Sequence, residues 1–131
     1  MNFDESKSSL AHITEDGTCA QTVKEHLEGT AQLSAEFAKV FGCEEWGYCC
    51  GMLHDIGKYS AEFQKKIKEN LDIRVDHSTA GAKVCENLDG CYWLLTYCIA
   101  GHHAGLPDLG REGLPSSLLG RLKKRLCDYS A

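Results

Sequence analysis

The sequence lacks several features that define common classes of small protein. It has eight cysteines but no Cys-x-x-Cys pair, no apolar run near the ~20 residues of a membrane span, and no excess of basic residues. A structural zinc finger is therefore disfavoured, and the apolar surroundings of five cysteines favour small core residues over disulfides: Cys49, Cys50, Cys85, Cys91 and Cys98. A net charge of −5 argues against nucleic-acid binding through a broad basic face.

Proline and strand-like alternation are also scarce, and their scarcity indicates the fold class. The chain has two prolines and no alternating run of useful length, so we expect an all-α domain, a helical bundle of about five to six helices. Residues 1–10 are polar and are expected to be poorly ordered, which leaves residues 11–131 as the single domain. The polar start contains no signal peptide, so we expect a cytoplasmic protein without a membrane partner.

Capping and periodicity signals place the helices. A capping box from Thr22 to Glu25 opens a helix to residue 41, whose inward face includes His26, Phe37 and Phe41. The next helix, about 44–55, is predicted to bury Trp46, Cys49, Cys50 and Leu53. Ser60 caps a third helix, and others are predicted at about 77–88, 91–103 and 117–128, the fifth apolar all round. A short extended piece at residues 11–17 precedes them.

Histidines are concentrated at the ends of these apolar helices. His26, His54, His77, His102 and His103 lie there, whereas His12 is assigned to a loop. Buried unpaired imidazoles cost free energy, and a shared metal would give all five a partner. For each one alone, a satisfied core histidine or a helix-end cap is the alternative.

The adjacent pair His54 and Asp55 is the centre of this hypothesis. Imidazole nitrogen and carboxylate oxygen are ligands that divalent metals prefer. Five histidines and one carboxylate are too many ligands for one tetrahedral ion, but they suit two ions bridged by Asp55 with open positions for water and substrate. Such a pair of ions can hold phosphate during an in-line displacement, so the pattern predicts phosphoester hydrolysis.

The residues around the pair have two interpretations each. Gly57 fits a helix end that needs positive φ, and Lys58 beyond it is either a surface lysine or a catalytic, phosphate-binding ammonium. Asp76 is either a helix cap, which we favour, or a carboxylate that supports His77. The basic stretch in residues 121–125 is interpreted as a solvated helix face, with DNA guidance as the alternative.

Four segments resemble, in this order, the HD superfamily of metal-dependent phosphohydrolases, and more narrowly the HD nuclease domain of the CRISPR type I effector nuclease-helicase. They are residues 25–27, 53–64, 75–82 and 101–108. The His-Asp core at 54–58 is shared across the superfamily, whereas three elements are more specific: Phe63-Gln64, His-Ser-Thr-Ala-Gly-Ala from His77, and Gly-His-His-x-Gly-Leu-Pro-Asp from Gly101.

The resemblance implies a ligand set, an activity and partners. One metal would be held by His26, His54 and Asp55, and a second by Asp55, His77, His102 and His103. The implied cofactors are two divalent transition-metal ions: manganese, nickel, cobalt or iron. The implied activity is metal-dependent cleavage of single-stranded DNA in antiviral defence, beside a helicase and the RNA-guided surveillance complex.

Two departures from that family keep other hypotheses open. No helicase sequence follows, so we expect either a separate HD subunit or a piece of a longer protein, and the ending favours the piece. The family takes a further aspartate for the first metal from a later helix, and Asp128 follows the His-His pair at a shorter spacing. The alternatives are an HD phosphohydrolase acting on small nucleotides, and a truncated HD bundle without turnover.

Overall fold

Helices dominate the computed structural model, which describes residues 8–126 and 128–129. The α-helices are α1 (Val23–Lys39), α2 (Glu44–Leu53), α3 (Ala61–Lys68), α4 (Ser78–Glu86), α5 (Leu95–Gly101) and α6 (Leu118–Leu122). Short 3₁₀ turns at Ile56–Tyr59 and Tyr92–Leu94 follow α2 and precede α5. The predicted all-α class is confirmed. Within the described residues, no helix combines the length and the apolar character needed to cross a membrane.

A small β-hairpin precedes the helices. Strand β1 (Leu10–Ile13) pairs antiparallel with β2 (Ala20–Thr22), and His12 lies opposite Gln21. The predicted extended piece covers β1 only, because strands this short show too few alternations to reveal β2. The assignment of His12 to a loop is wrong. Of the N-terminal segment expected to be poorly ordered, residues 1–7 lie outside the described residues, whereas Leu10 opens β1.

The predicted helix caps are present. The Glu25 amide donates to Thr22 Oγ1 at 3.2 Å, and Glu25 Oε2 accepts from the Thr22 amide at 2.9 Å, which completes the capping box of α1. Ser60 Oγ accepts from the Phe63 amide at the start of α3. Asp76 Oδ1 accepts from the Thr79 amide at 3.1 Å in the first turn of α4, which agrees with the favoured capping role.

Helices α1 and α2 pack through small residues. Gly47 and Gly51 of α2 lie directly against the backbone of Ser34 and Ala31 in α1. Phe37 and Phe41 are 72% and 71% exposed, so the prediction that they face inward is wrong. Helical periodicity places Phe37 about 100° from its buried neighbour Ala38, and the position of α2 decides which face is covered.

The main core lies among the last three α-helices, α4, α5 and α6. Its buried residues are Ala82, Cys85, Leu95, Ile99, Ala100, Leu118 and Leu122, with Trp46, Cys49, Cys50 and Leu53 packed against them half-buried. Cys91 and Cys98 are exposed, which contradicts their predicted core positions. The cause is that α5 begins only at Leu95 and has one covered face, so it is not buried all round.

The C-terminal helix is shorter than predicted. It begins after the cap Ser117 but covers only five residues, and two basic side chains at its C-terminal end contact the start of α4. Arg121 Nη2 donates to Ser78 Oγ at 3.2 Å, and Lys124 Nζ lies 3.2 Å from Asp76 Oδ2. These two residues tie the C-terminal segment to the start of α4. Lys123, Lys124 and Arg125 are exposed, which agrees with the predicted solvated face, whereas Arg121 is half-buried.

Candidate metal centre

Helix ends bring the predicted ligands to one point. His54 ends α2, Asp55 opens the following 3₁₀ turn, and His102 ends α5 with His103 directly after it. His77 precedes the first residue of α4, and His26 lies in the first turns of α1. Side chains at helix ends can project past the helix, which is why four separate elements supply one cluster.

Asp55 lies at the centre of the cluster and is 3% exposed. Its Oδ2 is 2.9 Å from His26 Nε2 and 3.2 Å from His54 Nε2. Its Oδ1 is 3.1 Å from His102 Nε2 and 3.4 Å from His77 Nε2. The two carboxylate oxygens therefore face different pairs of histidines.

The potential ligand atoms form two groups that share Asp55. One group contains His26, His54 and Asp55, and the other contains Asp55, His77, His102 and His103; in each, all ligand atoms lie within 4.8 Å of one another. This division matches the one that the sequence resemblance implies. Asp128 belongs to neither group.

Backbone carbonyls orient three of the imidazoles. The Nδ1 atoms of His54, His77 and His102 lie 2.7, 3.0 and 2.7 Å from the carbonyl oxygens of Gly51, Val75 and Ile99. A carbonyl can only accept, so Nδ1 carries the proton in each. The Nε2 lone pairs then point at the centre, which is the arrangement found in metal-ligating histidines.

This donor set fits a cation. In the neutral tautomers just described, three Nε2 lone pairs face the carboxylate oxygens of Asp55 at 3.1–3.4 Å without a proton between them. Acceptors facing one another at such distances repel, and a divalent ion between them would convert that repulsion into coordination. The chemistry of the residues present therefore suits metal binding.

A comparison with protein families decides the broader class. The model of the HD domain matches residues 23–131 of the chain. The chain belongs to the HD-domain family. A search of curated proteins found no match to the sequence. Membership indicates a metal-dependent hydrolase, and the Asp55 cluster contains the histidine-aspartate pair after which HD domains are named.

Electrostatics favours the protonation states that metals need in three of the HD-domain histidines and in Asp55. Burial lowers the pKa values of His26, His77 and His103, so these imidazoles stay neutral at neutral pH. Burial alone would raise the pKa of Asp55, but the electrostatic environment of His102, His54 and the Lys58 ammonium outweighs burial and holds the carboxyl well below its usual range. His102 differs: burial lowers its pKa, but its contacts with Asp55 and the Ile99 carbonyl outweigh burial, so its pKa is raised. Proton competition at neutral pH is therefore weak for His26, His77, His103 and Asp55, and stronger for His102.

Lys58 is part of the cluster and not a surface lysine. It is 4% exposed, and its Nζ lies 2.9 Å from Asp55 Oδ2 and 5.5 Å from the centre of the Phe63 ring. The ammonium partly neutralises the carboxylate and lies beside the first ligand group. The interpretation of Lys58 as an exposed residue after a helix stop is wrong.

Sequence reasoning missed two residues that surround Lys58. His12 Nε2 lies 3.2 Å from Lys58 Nζ, and its ring contacts the His26 ring. Gln64 donates from Nε2 to the carbonyls of Leu10 and Lys58 at 2.9 and 2.7 Å and accepts from the Leu10 amide, so it ties β1 to the Lys58 turn. For Gln64, a signal was available in the sequence, because this residue belongs to the Phe63-Gln64 element that resembles the family.

Two glycines allow the close backbone contacts behind the cluster. A Cβ at Gly57 would lie 2.4 Å from the His77 carbonyl oxygen, and one at Gly81 would lie 1.8 Å from that of Leu53. Gly57 is absent from the described positive-φ positions, so the prediction that it is needed for positive φ is wrong. Instead, the lack of a side chain at Gly57 lets its backbone lie directly against the backbone of His77. Gly81 likewise lets α4 lie directly against the backbone of Leu53 at the end of α2.

Proposed function

We propose that this HD domain hydrolyses phosphodiester bonds of single-stranded DNA in CRISPR type I interference. The observation that carries the proposal is the position of Asp55 between two groups of histidines, each of which could hold one divalent ion. Manganese, nickel, cobalt and iron suit nitrogen and oxygen ligands of this kind. Two such ions, when bound, supply Lewis acidity and a water of lowered pKa.

The chain's own residues have separable roles in this proposal. Asp55 would belong to both ligand groups, which His26, His54, His77, His102 and His103 would complete. Lys58, whose ammonium lies 2.9 Å from Asp55 Oδ2, binds the substrate phosphate and offsets charge that develops during hydrolysis. His12 positions that ammonium through its Nε2 contact.

The accessibility of the cluster favours a polymer over a small nucleotide. His102 and His103 are exposed, so one side of the second ligand group opens to solvent. A domain specific for small nucleotides would need a closed pocket around the base to exclude longer chains. The family-like elements at Phe63-Gln64 and residues 101–108 also favour the nuclease, and with it a helicase and an RNA-guided surveillance complex as cytoplasmic partners in antiviral defence.

Cleavage of circular single-stranded DNA with manganese or nickel tests the function directly. We expect nicking that is abolished by EDTA and by Asp55→Ala, whereas Asp72→Ala, at an exposed aspartate outside the cluster, leaves it unchanged. Cyclic nucleotides and mononucleotides are assayed in parallel. Turnover of these alone would refute the nuclease and support the small-nucleotide phosphohydrolase. Metal binding by a folded chain without any turnover would support the truncated, inactive bundle.

A further inference from the structure

A cleft beside the metal centre has the composition of a strand-binding groove. It has a volume of about 700 Å³ and lies between the β-hairpin and α3. Ile13, Ile67 and Leu71 supply apolar lining, while Lys66 and Lys68 supply two positive charges. This volume lies within the usual range of ~300–1,000 Å³ for ligand sites.

The cleft is adjacent to the proposed reaction site through shared residues. His12 and Phe63 both line it. On their other sides, His12 Nε2 contacts Lys58 Nζ at 3.2 Å, and the Phe63 ring packs against the His77 ring with 5.3 Å between centroids. A ligand in the cleft would therefore be separated from Lys58 by His12 and from His77 by Phe63, one side chain in each direction.

The charge of the cleft differs from that of the whole chain. Its lining contains two lysines against one carboxylate, Glu15, although the chain carries a net charge of −5. Within the described residues, neither Lys66 nor Lys68 forms a salt bridge, so both ammonium groups are available for an anionic ligand. Positive charge beside apolar surface is the pattern that accommodates phosphates and bases of single strands.

The hairpin wall of the cleft is held in place before any ligand arrives. Asp16 Oδ1 accepts hydrogen bonds from the Thr14 hydroxyl at 2.6 Å and from the Thr18 amide at 3.0 Å. Gln64 joins β1 to the turn that carries Lys58. A groove with both walls fixed avoids an ordering cost on binding.

We propose that this cleft binds the part of a single-stranded nucleic acid that flanks the scissile phosphodiester, with Lys66 and Lys68 contacting its phosphates. The inference rests on the proposed nuclease function and adds a path for the strand. It predicts that the cleft governs binding of oligonucleotides but not hydrolysis of a small phosphodiester.

Fluorescence anisotropy with a labelled oligodeoxythymidine in EDTA tests binding without turnover. The double variant K66A/K68A should bind roughly tenfold more weakly. Its salt dependence, as the slope of log affinity against log salt, should fall by about 1.4, since each lost phosphate contact on a single strand contributes about 0.7. Lys65→Ala is the matched control, because Lys65 is exposed on the same helix but does not line the cleft. Glu15→Gln should tighten binding.

Kinetics with manganese separate this inference from the function on which it rests. We expect K66A/K68A to raise KM for the oligonucleotide and to leave hydrolysis of bis(p-nitrophenyl) phosphate unchanged. Equal affinity of K66A/K68A and Lys65→Ala in a chain that cuts DNA would overturn the strand path alone. A wild-type chain that neither binds nor cuts the oligonucleotide, yet hydrolyses the small diester, would overturn both proposals.

Discussion

Gly57→Ala provides a sharp test of how backbone packing builds the metal centre. The new Cβ would lie 2.4 Å from the carbonyl oxygen and 2.6 Å from the Cα of His77. Real Cβ contacts are essentially never shorter than 3.0 Å, so Gly57 and His77 must separate by at least about 0.6 Å. Metal-ligand distances tolerate only about 0.2 Å. His77 should therefore be lost from the second ligand group.

The magnitude follows from these displacements. Disturbing the support of a metal ligand lowers metal affinity by about 10- to 100-fold, and forcing one carbon into a packed contact costs about 1–3 kcal/mol of stability. We expect Gly57→Ala to retain manganese in the first group and to lose it from the second. Equilibrium dialysis with elemental analysis measures metal content, and chemical denaturation measures the free energy of unfolding.

Gly29→Ala is the matched control for this experiment. Gly29 is an exposed residue in the middle of α1, and a Cβ there would meet nothing within 4 Å. The substitution should increase stability by about 0.5–1 kcal/mol, because alanine loses less conformational freedom in a helix than glycine. Its metal content should stay unchanged. Wild-type manganese affinity in folded Gly57→Ala would refute the argument that the Gly57 contact positions His77.

The remaining predictions concern ligand sharing, positioning, proton linkage and thiol reactivity. Asp55→Ala should lose metal from both groups and His77→Ala mainly from the second, as measured by metal content; equal content in the two variants would refute a bridging carboxylate. His12→Ala should lower kcat for DNA cleavage severalfold with unchanged metal content, and His12→Gln should partly restore it; full activity of the alanine variant would exclude a positioning role. Burial lowers the pKa of His77, so below pH 6.5 the unfolded chain binds more protons there than the folded one. The metal-free protein should then gain stability from this group as pH rises toward 6.5, and a calorimetric gain of equal size in His77→Gln would contradict this. Burial raises the pKa of Cys85 to about 12, so iodoacetamide at neutral pH should spare it and label exposed Cys98; equal labelling by mass spectrometry would contradict the burial.

Local signals in the sequence predicted the helix starts well. The Thr22 capping box and the cap at Ser60 lie where expected, because a cap is satisfied by residues two or three positions away. The last helix also begins within one residue of its predicted start at 117. Helix ends were less accurate. The last helix was predicted to reach residue 128 but covers Leu118–Leu122, since its continuation depends on contacts made by Arg121 and Lys124 with distant residues.

Burial was the least predictable property. A helical pattern identifies an apolar stripe, but it does not say which neighbouring helix covers that stripe. Phe37 and Phe41 share a stripe with buried residues and remain exposed, because α2 contacts the small-residue face of α1. The sequence left two interpretations of Lys58 open, at the surface or in the site, and its burial follows from the pairing of its ammonium with Asp55.

By itself, the sequence determined the helical class and the identity of the candidate ligands. Imidazole and carboxylate chemistry at helix ends suffices to nominate His26, His54, Asp55, His77, His102 and His103. Only the tertiary structure decided that Asp55 faces both histidine groups, that His12 and Gln64 join Lys58, and that Gly57 touches His77. Donor chemistry belongs to each residue, whereas distances between residues 26 and 103 arise only when the chain folds.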